Sequence, residues 1–305
     1  FGLIKGLKVI IERYMKRILI ISDGKPGHLN QSIAFCKIKN ISYDILEVKF
    51  ISKIHKILSY ALDRVDFYTD NLFKEYKKYY FDFYDAVVSA GSGTYYFNKY
   101  ISKKYNKKSI ALMLPKSYKY STFDYIIAQK HDNPIKMNNL VIVPLNLSYV
   151  KTRGFVKKVE DKKSVGIIIG GNNSIFNLDV EEIKEKLDFI FENYEKDLKY
   201  ITTSRRTSFE VEALIDEYDF DYKLIYSREP DINPIGDFIN VCDEFFITMD
   251  STSMLSEVRA NSDAKINIIS LESKKENSKY HRLVDIVRSI DKKLDFEKLL
   301  EKVEI

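Results

Sequence analysis

The sequence predicts an α/β protein with mostly parallel sheets, arranged as two successive domains. Short apolar runs rich in β-branched residues alternate with helix-like runs along the chain, a pattern typical of βαβ units. The alternation stops at the charged stretch 151–163 and then starts again. Each series opens with a strand that leads into a glycine turn, and 305 residues exceed the usual size of one domain. We therefore expect a first domain over 1–150, a linker over 151–163 and a second domain over 164–305.

The strands are predicted from apolar runs that end in polar loops. In the first domain they fall at 17–22, 43–50, 85–90, 109–114, 124–129 and 140–145. In the second domain they fall at 165–171, 199–204, 222–227, 244–249 and 265–270, with helices between them such as 180–194 and 208–218. Ligands of such sheets bind outside the carboxyl ends of the strands. Function is therefore expected in the loops that follow the strands.

The charge of the chain is divided unevenly between its halves. Residues 1–150 contain 24 Lys and Arg against 12 Asp and Glu, and the remaining residues contain 25 against 32. The first half is therefore a cation of +12 and the second an anion of −7. This polarity indicates either an anionic surface or substrate next to the first domain, or a solvated lysine-rich surface without such a partner.

The composition also limits the compartment and the cofactors. No apolar stretch approaches the ~20 residues that cross a bilayer, which predicts a soluble protein with at most peripheral membrane contact. Two cysteines are too few for a secreted disulfide framework, which predicts a reducing cytoplasm. Residues 1–16 fit a basic amphipathic helix at a membrane interface, or a helix packed on its own domain. Cys36 and Cys242 fit no paired zinc or redox spacing, and no cluster has metal-ligand spacing. We expect no metal and no cofactor.

Three loops of the second domain carry residue types that suit an anion. Glycines allow close approach of a backbone to a ligand, arginines offer planar charged forks, and hydroxyls at a helix start supply donors beside the positive end of the helix dipole. Glu257 lies about one turn into the helix that follows the strand 244–249, and its carboxylate can accept hydrogen bonds from a ribose. The candidates for donor binding are Gly170, Gly171, Asn172, Thr203, Ser204, Arg205, Arg206, Asp250, Ser251, Thr252, Ser253, Met254 and Glu257. Capping of the helix by Ser253 with Ser256 or Glu257 is the structural alternative.

Two loops of the first domain suit an acceptor and an acid or base. His28 follows a glycine at the predicted end of a strand, and because histidine is the commonest general base in enzymes it is the first candidate for that role. Asp23 lies in the same stretch, and His131 with Asp132 forms a second acid–base pair after the strand 124–129. The candidates for acceptor binding are Lys25, Gly27, Asn30, Gln31, Gly91, Ser92 and Gly93.

Three of these strings together resemble a known family. They are DGKPGH-x-NQS over 23–32, TTSRRT over 202–207, and DS-x-SM-x-SE over 250–257. They are similar to the mitochondrial-fission "elongated mitochondria" family, whose bacterial members are described as glycosyltransferases, and the resemblance runs from about residue 16 to about 270. It implies two Rossmann-like domains that face a central cleft, the type B glycosyltransferase architecture.

A more distant resemblance, to the lipid-linked peptidoglycan N-acetylglucosaminyltransferase, implies roles for single residues. Residues 253–257 match its donor-binding turn, with Glu257 as the ribose-binding glutamate. Gly27 and His28 match its glycine-rich acceptor loop, and 91–93 its second acceptor loop. This sequence departs from the pattern at 114–116, where Leu-Pro-Lys stands in place of an acidic residue.

The expected function is metal-independent transfer of a sugar from a nucleotide-sugar donor to an anionic, lipid-linked or cell-envelope glycan acceptor. The protein would act in the cytoplasm, or peripherally at the inner face of a bacterial cytoplasmic membrane, without nucleic acid. Two alternatives are a nucleotide-sugar 2-epimerase, which shares the fold, and a non-catalytic interaction protein on a transferase scaffold.

Overall fold

The computed structural model describes residues 16–305, which form two compact units. Unit 1 contains residues 16–149 together with 295–305, and unit 2 contains residues 150–294. The last eleven residues therefore belong to unit 1 and not to the second domain predicted over 164–305. The helix considered for the start of the chain lies outside the described residues, apart from Lys16.

Unit 1 is built on a six-stranded parallel sheet in the order β2-β1-β3-β4-β5-β6. All six strands lie where the sequence predicts them; three of them, β2, β4 and β6, end two or three residues early, and the other three end at the predicted residue. Their bounds are β1 Arg17–Ser22, β2 Ser42–Glu47, β3 Ala86–Ala90, β4 Lys108–Leu112, β5 Tyr125–Gln129 and β6 Leu140–Val143. The helices of the unit are α1 Pro26–Ile38, α2 Lys53–Arg64 and α3 Tyr95–Tyr105, and short 3-10 turns lie at Phe81–Phe83, Tyr120–Thr122 and Lys130–Asp132.

Unit 2 is built on a five-stranded parallel sheet in the order β10-β9-β7-β11-β12. The five predicted strands are all present, and a short antiparallel pair is added. Their bounds are β7 Ser164–Ile168, β8 Phe176–Asn177, β9 Leu198–Thr202, β10 Tyr222–Leu224, β11 Glu244–Thr248, β12 Lys265–Ile269 and β13 Glu272–Ser273, where β8 pairs with β13. The helices are α4 Val180–Asn193, α5 Phe209–Asp216, α6 Ile235–Val241, α7 Thr252–Asn261 and α8 Lys279–Arg288, and α9 Phe296–Leu299 follows in unit 1.

The cores explain why the apolar runs become central strands. Strands covered on both faces consist of near-continuous apolar residues, and β1 of unit 1 and β7 of unit 2 are almost fully buried. In unit 1 the core is rich in aromatic rings, among them Tyr96 and Phe97. Both cysteines are buried, and burial raises the pKa of Cys36 and of Cys242 to about 12, so they remain thiols at neutral pH.

The charged stretch 151–163 is attached to unit 2. The backbone N–H groups of Arg153, Gly154 and Phe155 all donate to the carboxylate of Asp237, at 2.7, 3.1 and 2.9 Å. The carboxylate lies in the first turn of α6 and is buried. The first part of the predicted linker is therefore held by unit 2, through an anchor more than 80 residues away that sequence spacing does not reveal.

Candidate functional site

In unit 2, the loops that follow β7, β9 and β11 meet around the carboxylate of Asp250. Asp250 is buried; its Oδ2 accepts the N–H of Gly171 at 3.0 Å and pairs with the guanidinium of Arg206. Thr248 Oγ1 accepts the N–H of Gly170 at 2.7 Å. Asn173 Nδ2 donates to the carbonyl of Asp250 at 3.2 Å. The structure therefore brings together three of the predicted donor loops and gives Asp250 the role of their common anchor.

The glycines of this cluster are required by close contacts. A Cβ on Gly170 would collide with the carboxylate of Asp250, and a Cβ on Gly171 would collide with the backbone carbonyl of Arg206. The hydroxyl of Thr207 also joins the two loops, because it donates to the carbonyl of Gly170 at 2.6 Å. Residues 170 and 171 thus allow two loops to pack directly on each other.

Several predicted donor residues hold the loops rather than present free groups. Thr203 Oγ1 accepts the N–H of Tyr226 at 2.8 Å, Ser204 Oγ accepts the N–H of Arg206 at 3.1 Å, and Asn172 Oδ1 accepts the N–H of Leu178 at 2.6 Å. These contacts fix the backbone beside Asp250. Arg205 is different, because it is exposed and its guanidinium has no partner among residues 16–305.

The helix α7 begins directly after this cluster. Ser251 caps it by accepting the N–H of Met254 at 3.3 Å, so the cap is two residues earlier than the Ser253 alternative considered from the sequence. The N–H groups of Thr252 and Ser253 belong to the first turn, where a helix has no acceptors of its own. Ser253 is exposed and offers its hydroxyl beside them. This helix start is therefore suited to a phosphate.

Glu257 lies on the same face of α7 as Ser253, one turn further along. Its side chain is half-buried, and within residues 16–305 its carboxyl group forms no hydrogen bond or ion pair. Burial without a compensating partner raises the pKa of Glu257 to about 7. The adjacent Ser256 Oγ is buried and also has no partner in the described part of the chain. Glu257 is an acceptor that a ligand hydroxyl would satisfy.

In unit 1, the candidate base is held by the candidate acid. His28 Nδ1 lies 3.1 and 3.2 Å from the two oxygens of Asp23. Gly91 makes room for the imidazole and Gly93 for the carboxylate, since a Cβ at either position would press on these side chains. Burial opposes ionisation of Asp23, but the hydrogen bond and charge of His28 and the charge of Lys25 outweigh it and lower its pKa. Lys25 Nζ lies 3.4 Å from the same carboxylate.

The polar pair Asn30 and Gln31 suggests a helix start at those residues, but α1 begins earlier, at Pro26, so His28 lies in its first turn. Pro at the first helical position needs no N–H acceptor and fixes a helical φ, which explains the early start. Gly27 and Asn30 are exposed on this helix. Gln31 is buried and accepts a hydrogen bond from Gln129 Nε2 at 3.1 Å, so it ties α1 to the end of β5.

The second acid–base pair is less accessible. His131 and Asp132 lie in the short turn after β5, where His131 is buried, and Asp132 accepts a hydrogen bond from Lys116 at 3.5 Å. Two residues that the sequence did not single out contact the second acceptor loop: Lys56 donates to Ser92 Oγ at 2.8 Å, and Tyr118 donates to the carbonyl of Ser92 at 3.3 Å. Neither carries a local motif that would have identified it.

The described residues contain no helix long and apolar enough to cross a membrane. Over residues 16–305 no group of three or more His, Cys, Asp or Glu side chains is placed to hold a metal ion. No curated protein matches the sequence significantly.

Comparison with solved structures gives matches over most of the chain at low identity. A UDP-N-acetylglucosamine 2-epimerase structure from Listeria monocytogenes matches with a TM-score of 0.52 and 11% identity over 95% of this chain and 89% of that one. The MnaA–UDP structure from S. aureus has a TM-score of 0.49 and 12% identity over 93% and 91%. The glycosyltransferase SnogD from Streptomyces nogalater has a TM-score of 0.44 and 10% identity over 95% and 99%.

The family comparison covers most of the sequence. The Listeria match confirms the predicted fold class, two Rossmann-like α/β domains with parallel sheets. The model described as "Mitochondrial fission ELM1" matches residues 26–304, which include every donor-loop residue and all but the first part of the His28 loop. The chain therefore belongs to the mitochondrial fission ELM1 family.

Proposed function

We propose that the protein is a glycosyltransferase that moves a sugar from a nucleotide-sugar donor to an anionic or lipid-linked glycan acceptor. The observation that carries the proposal is the arrangement around α7 in unit 2. The first-turn N–H groups of Thr252 and Ser253 lie beside the loops that Asp250 holds together, and neither the guanidinium of Arg205 nor the carboxyl of Glu257 has a partner among residues 16–305. The helix start and Arg205 suit the diphosphate of a nucleotide sugar, and Glu257 suits its ribose.

The donor half of the mechanism rests on fixed positive charge. As the bond between the sugar and the diphosphate breaks, negative charge develops on the departing phosphate. First-turn N–H groups of α7 and the guanidinium of Arg205 would stabilise this charge, because they are already oriented before reaction. We propose that this replaces a divalent ion. Ionised Glu257 would accept hydrogen bonds from the ribose hydroxyls.

The acceptor half is assigned to His28 in unit 1. Asp23 fixes the ring by accepting from Nδ1, which leaves Nε2 to accept the proton of an acceptor hydroxyl as its oxygen forms the new bond to the sugar. The imidazolium formed in this step would be stabilised by the same carboxylate. Lys25 and the Gly91–Gly93 loop would contact an anionic acceptor.

A second candidate is a nucleotide-sugar 2-epimerase. It is favoured by the name of the Listeria structure whose fold this chain shares. An epimerase needs no acceptor, so it converts a UDP-sugar alone into its isomer. Analysis of products with and without a glycan acceptor separates the two activities.

Nucleotide binding tests the proposal. We expect one of UDP, GDP, CMP and ADP to raise the melting temperature in the presence of EDTA. Arg205→Ala should weaken that nucleotide ~10-fold, since one charge-assisted hydrogen bond is lost. Arg288→Ala, which removes an exposed arginine at the end of α8, is the matched control and should bind normally. Stabilisation by none of the four would contradict the proposal and favour an interaction protein.

A further inference from the structure

The helix α2 of unit 1 leaves several large apolar side chains exposed on its outer side. Its outward side presents Ile54, Ile57 and Leu58, which are 75%, 66% and 44% exposed. Its inward side carries Ser59 and Asp63, which are fully buried. A helix that packs on a core usually buries its apolar face. Here three large apolar side chains are left on the outside.

Polar contacts explain how the helix is held in this orientation. Asp63 pairs with buried Lys99 at 2.6 Å and accepts the N–H of Lys119 at 2.6 Å. Ser59 Oγ lies 2.9 Å from the hydroxyl of Tyr118. These contacts fix α2 to α3 and to the loop after β4. Tyr60 and Leu62 of α2 also pack against the core, so the exposed apolar side chains are not needed to attach the helix.

The apolar surface continues beyond both ends of the helix. We define the α2 outer face as the exposed apolar residues of this helix and its two flanks: Ile51, Ile54, Ile57, Leu58, Val65 and Phe67. Single exposed apolar residues are common on proteins, but a contiguous group of this kind marks an interaction site.

The charges around this face identify the kind of partner. Residues 47–67 contain four cations, Lys49, Lys53, Lys56 and Arg64, and three acids, Glu47, Asp63 and Asp66. Glu47 pairs with Lys49 and Asp66 with Lys119, so Lys53, Lys56 and Arg64 remain as excess positive charge at this face. Asp63 is buried against Lys99 and does not reach the surface. A second copy of the chain would bring two cationic faces together, which charge repulsion disfavours. Apolar side chains among lysines instead suit the interface of a membrane with anionic headgroups.

We propose that the α2 outer face docks on an anionic lipid bilayer. The isoleucines insert between the headgroups, and Lys53 and Arg64 contact lipid phosphates. Lys56 donates to Ser92, so docking holds the Gly91–Gly93 loop close to the lipid surface. This last consequence rests on the proposed function, and it makes a lipid-linked glycan the acceptor.

Vesicle cosedimentation of the full chain tests the proposal. We expect binding to phosphatidylcholine vesicles that contain phosphatidylglycerol and little binding to phosphatidylcholine alone. Ile54→Ser with Ile57→Ser should lower the partition coefficient at least ~10-fold, because two inserting side chains are lost. Tyr80→Ser with Phe83→Ser removes two similarly exposed rings, 82% and 74%, at another site of unit 1 and should change little.

The charge requirement has its own variants. Lys53→Glu with Arg64→Glu should lower binding to the anionic vesicles ~10-fold. Lys157→Glu with Lys158→Glu makes the same charge change at exposed lysines of unit 2 and should leave binding near the wild-type level. Residues 1–15 are identical in all these variants, so any contribution of theirs to vesicle binding is the same in each measurement. Circular dichroism and melting temperature verify that each variant is folded.

Three results would overturn the proposal: no wild-type binding to the anionic vesicles, equal binding to neutral vesicles, or wild-type binding by Ile54→Ser/Ile57→Ser. A dimer that this double variant abolishes would also overturn it and identify a self-association surface. The same variant should keep its nucleotide-induced rise in melting temperature. If no nucleotide binds any chain while the vesicle results hold, the proposed function fails and the docking surface stands.

Discussion

The two units use glycines at the ends of their strands in the same way but place different chemistry above them. In unit 1, Gly91 makes room for an imidazole that is 22% exposed and paired with Asp23. In unit 2, Gly170 makes room for Asp250, whose side chain is fully buried and anchors three loops. Asp23 therefore orients an imidazole, which is a group that can exchange a proton, whereas Asp250 holds the backbone of three loops in place.

Glu257 of unit 2 gives a second contrast with Asp23 of unit 1. Asp23 has a partner and a lowered pKa, whereas Glu257 has no partner among residues 16–305 and a raised pKa. A carboxyl group that is buried without a partner reduces stability when it ionises. Sites that bind ligands contain such uncompensated groups because the ligand supplies the missing partner. Unit 2 thus resembles a binding surface, and unit 1 a surface that handles protons.

The largest effect on stability is expected in the loops around Asp250 in unit 2. Gly171→Ala should lower the free energy of unfolding by about 3 kcal/mol, because the new Cβ meets backbone that cannot rotate away. Gly27→Ala is the control, since no atom lies within 4 Å of a Cβ there, and it should be neutral or stabilise slightly. Urea denaturation measures both. A Gly171→Ala protein as stable as the wild type would show that the two loops are not tightly packed.

The second prediction concerns Glu257 and has a defined sign. The pKa of Glu257 is about 7 in the folded protein against an ordinary value of 4.5, so the folded state binds more protons between these pH values and its stability falls as the pH rises through them. Glu257→Gln removes this penalty and should stabilise the protein by about 2 kcal/mol at pH 8 and by little at pH 4.

The same variant should bind nucleotide less tightly, because an amide accepts hydrogen bonds from a ribose less strongly than a carboxylate. Denaturation at pH 4 and pH 8 and calorimetric titration with the nucleotide measure the two effects. Equal stability of both proteins at pH 8 would mean that Glu257 is compensated in solution.

The smallest effect is expected in unit 1. Gly91→Ala should cost about 1.5 kcal/mol, since φ is +86° and the Cβ would displace the ring of His28. His28 is a side chain that can move, so Gly91→Ala in a His28→Ala background should cost less. A double-mutant cycle by urea denaturation measures the difference, and strict additivity would indicate that ring and glycine are not in contact.

The strands were predictable because each is a local apolar run bounded by polar residues, and all eleven predicted strands are present. The roles of several polar residues were not. Gln31 looks like a surface residue at a helix start, but its partner Gln129 is 98 residues away. Asn172 accepts a backbone N–H of its own loop, and Thr203 accepts one from the loop that follows the neighbouring strand β10. The buried polar residues of α2 have Lys99 and Tyr118 as partners, which no local pattern connects to this helix.

The return of residues 295–305 to unit 1 determines how the protein can be divided. Leu300 and Val303 are fully buried, and the carbonyls of Leu300 and Glu304 accept hydrogen bonds from Lys39 and Lys108 at 3.3 and 3.1 Å. Unit 1 is therefore made from two stretches of chain, and unit 2 is an insertion within it. A fragment that stops at residue 149 would lack part of its own core. Residues 150–294 are the natural piece to express alone as unit 2, and a short linker that joins residue 149 to residue 295 would give unit 1 with its complete core.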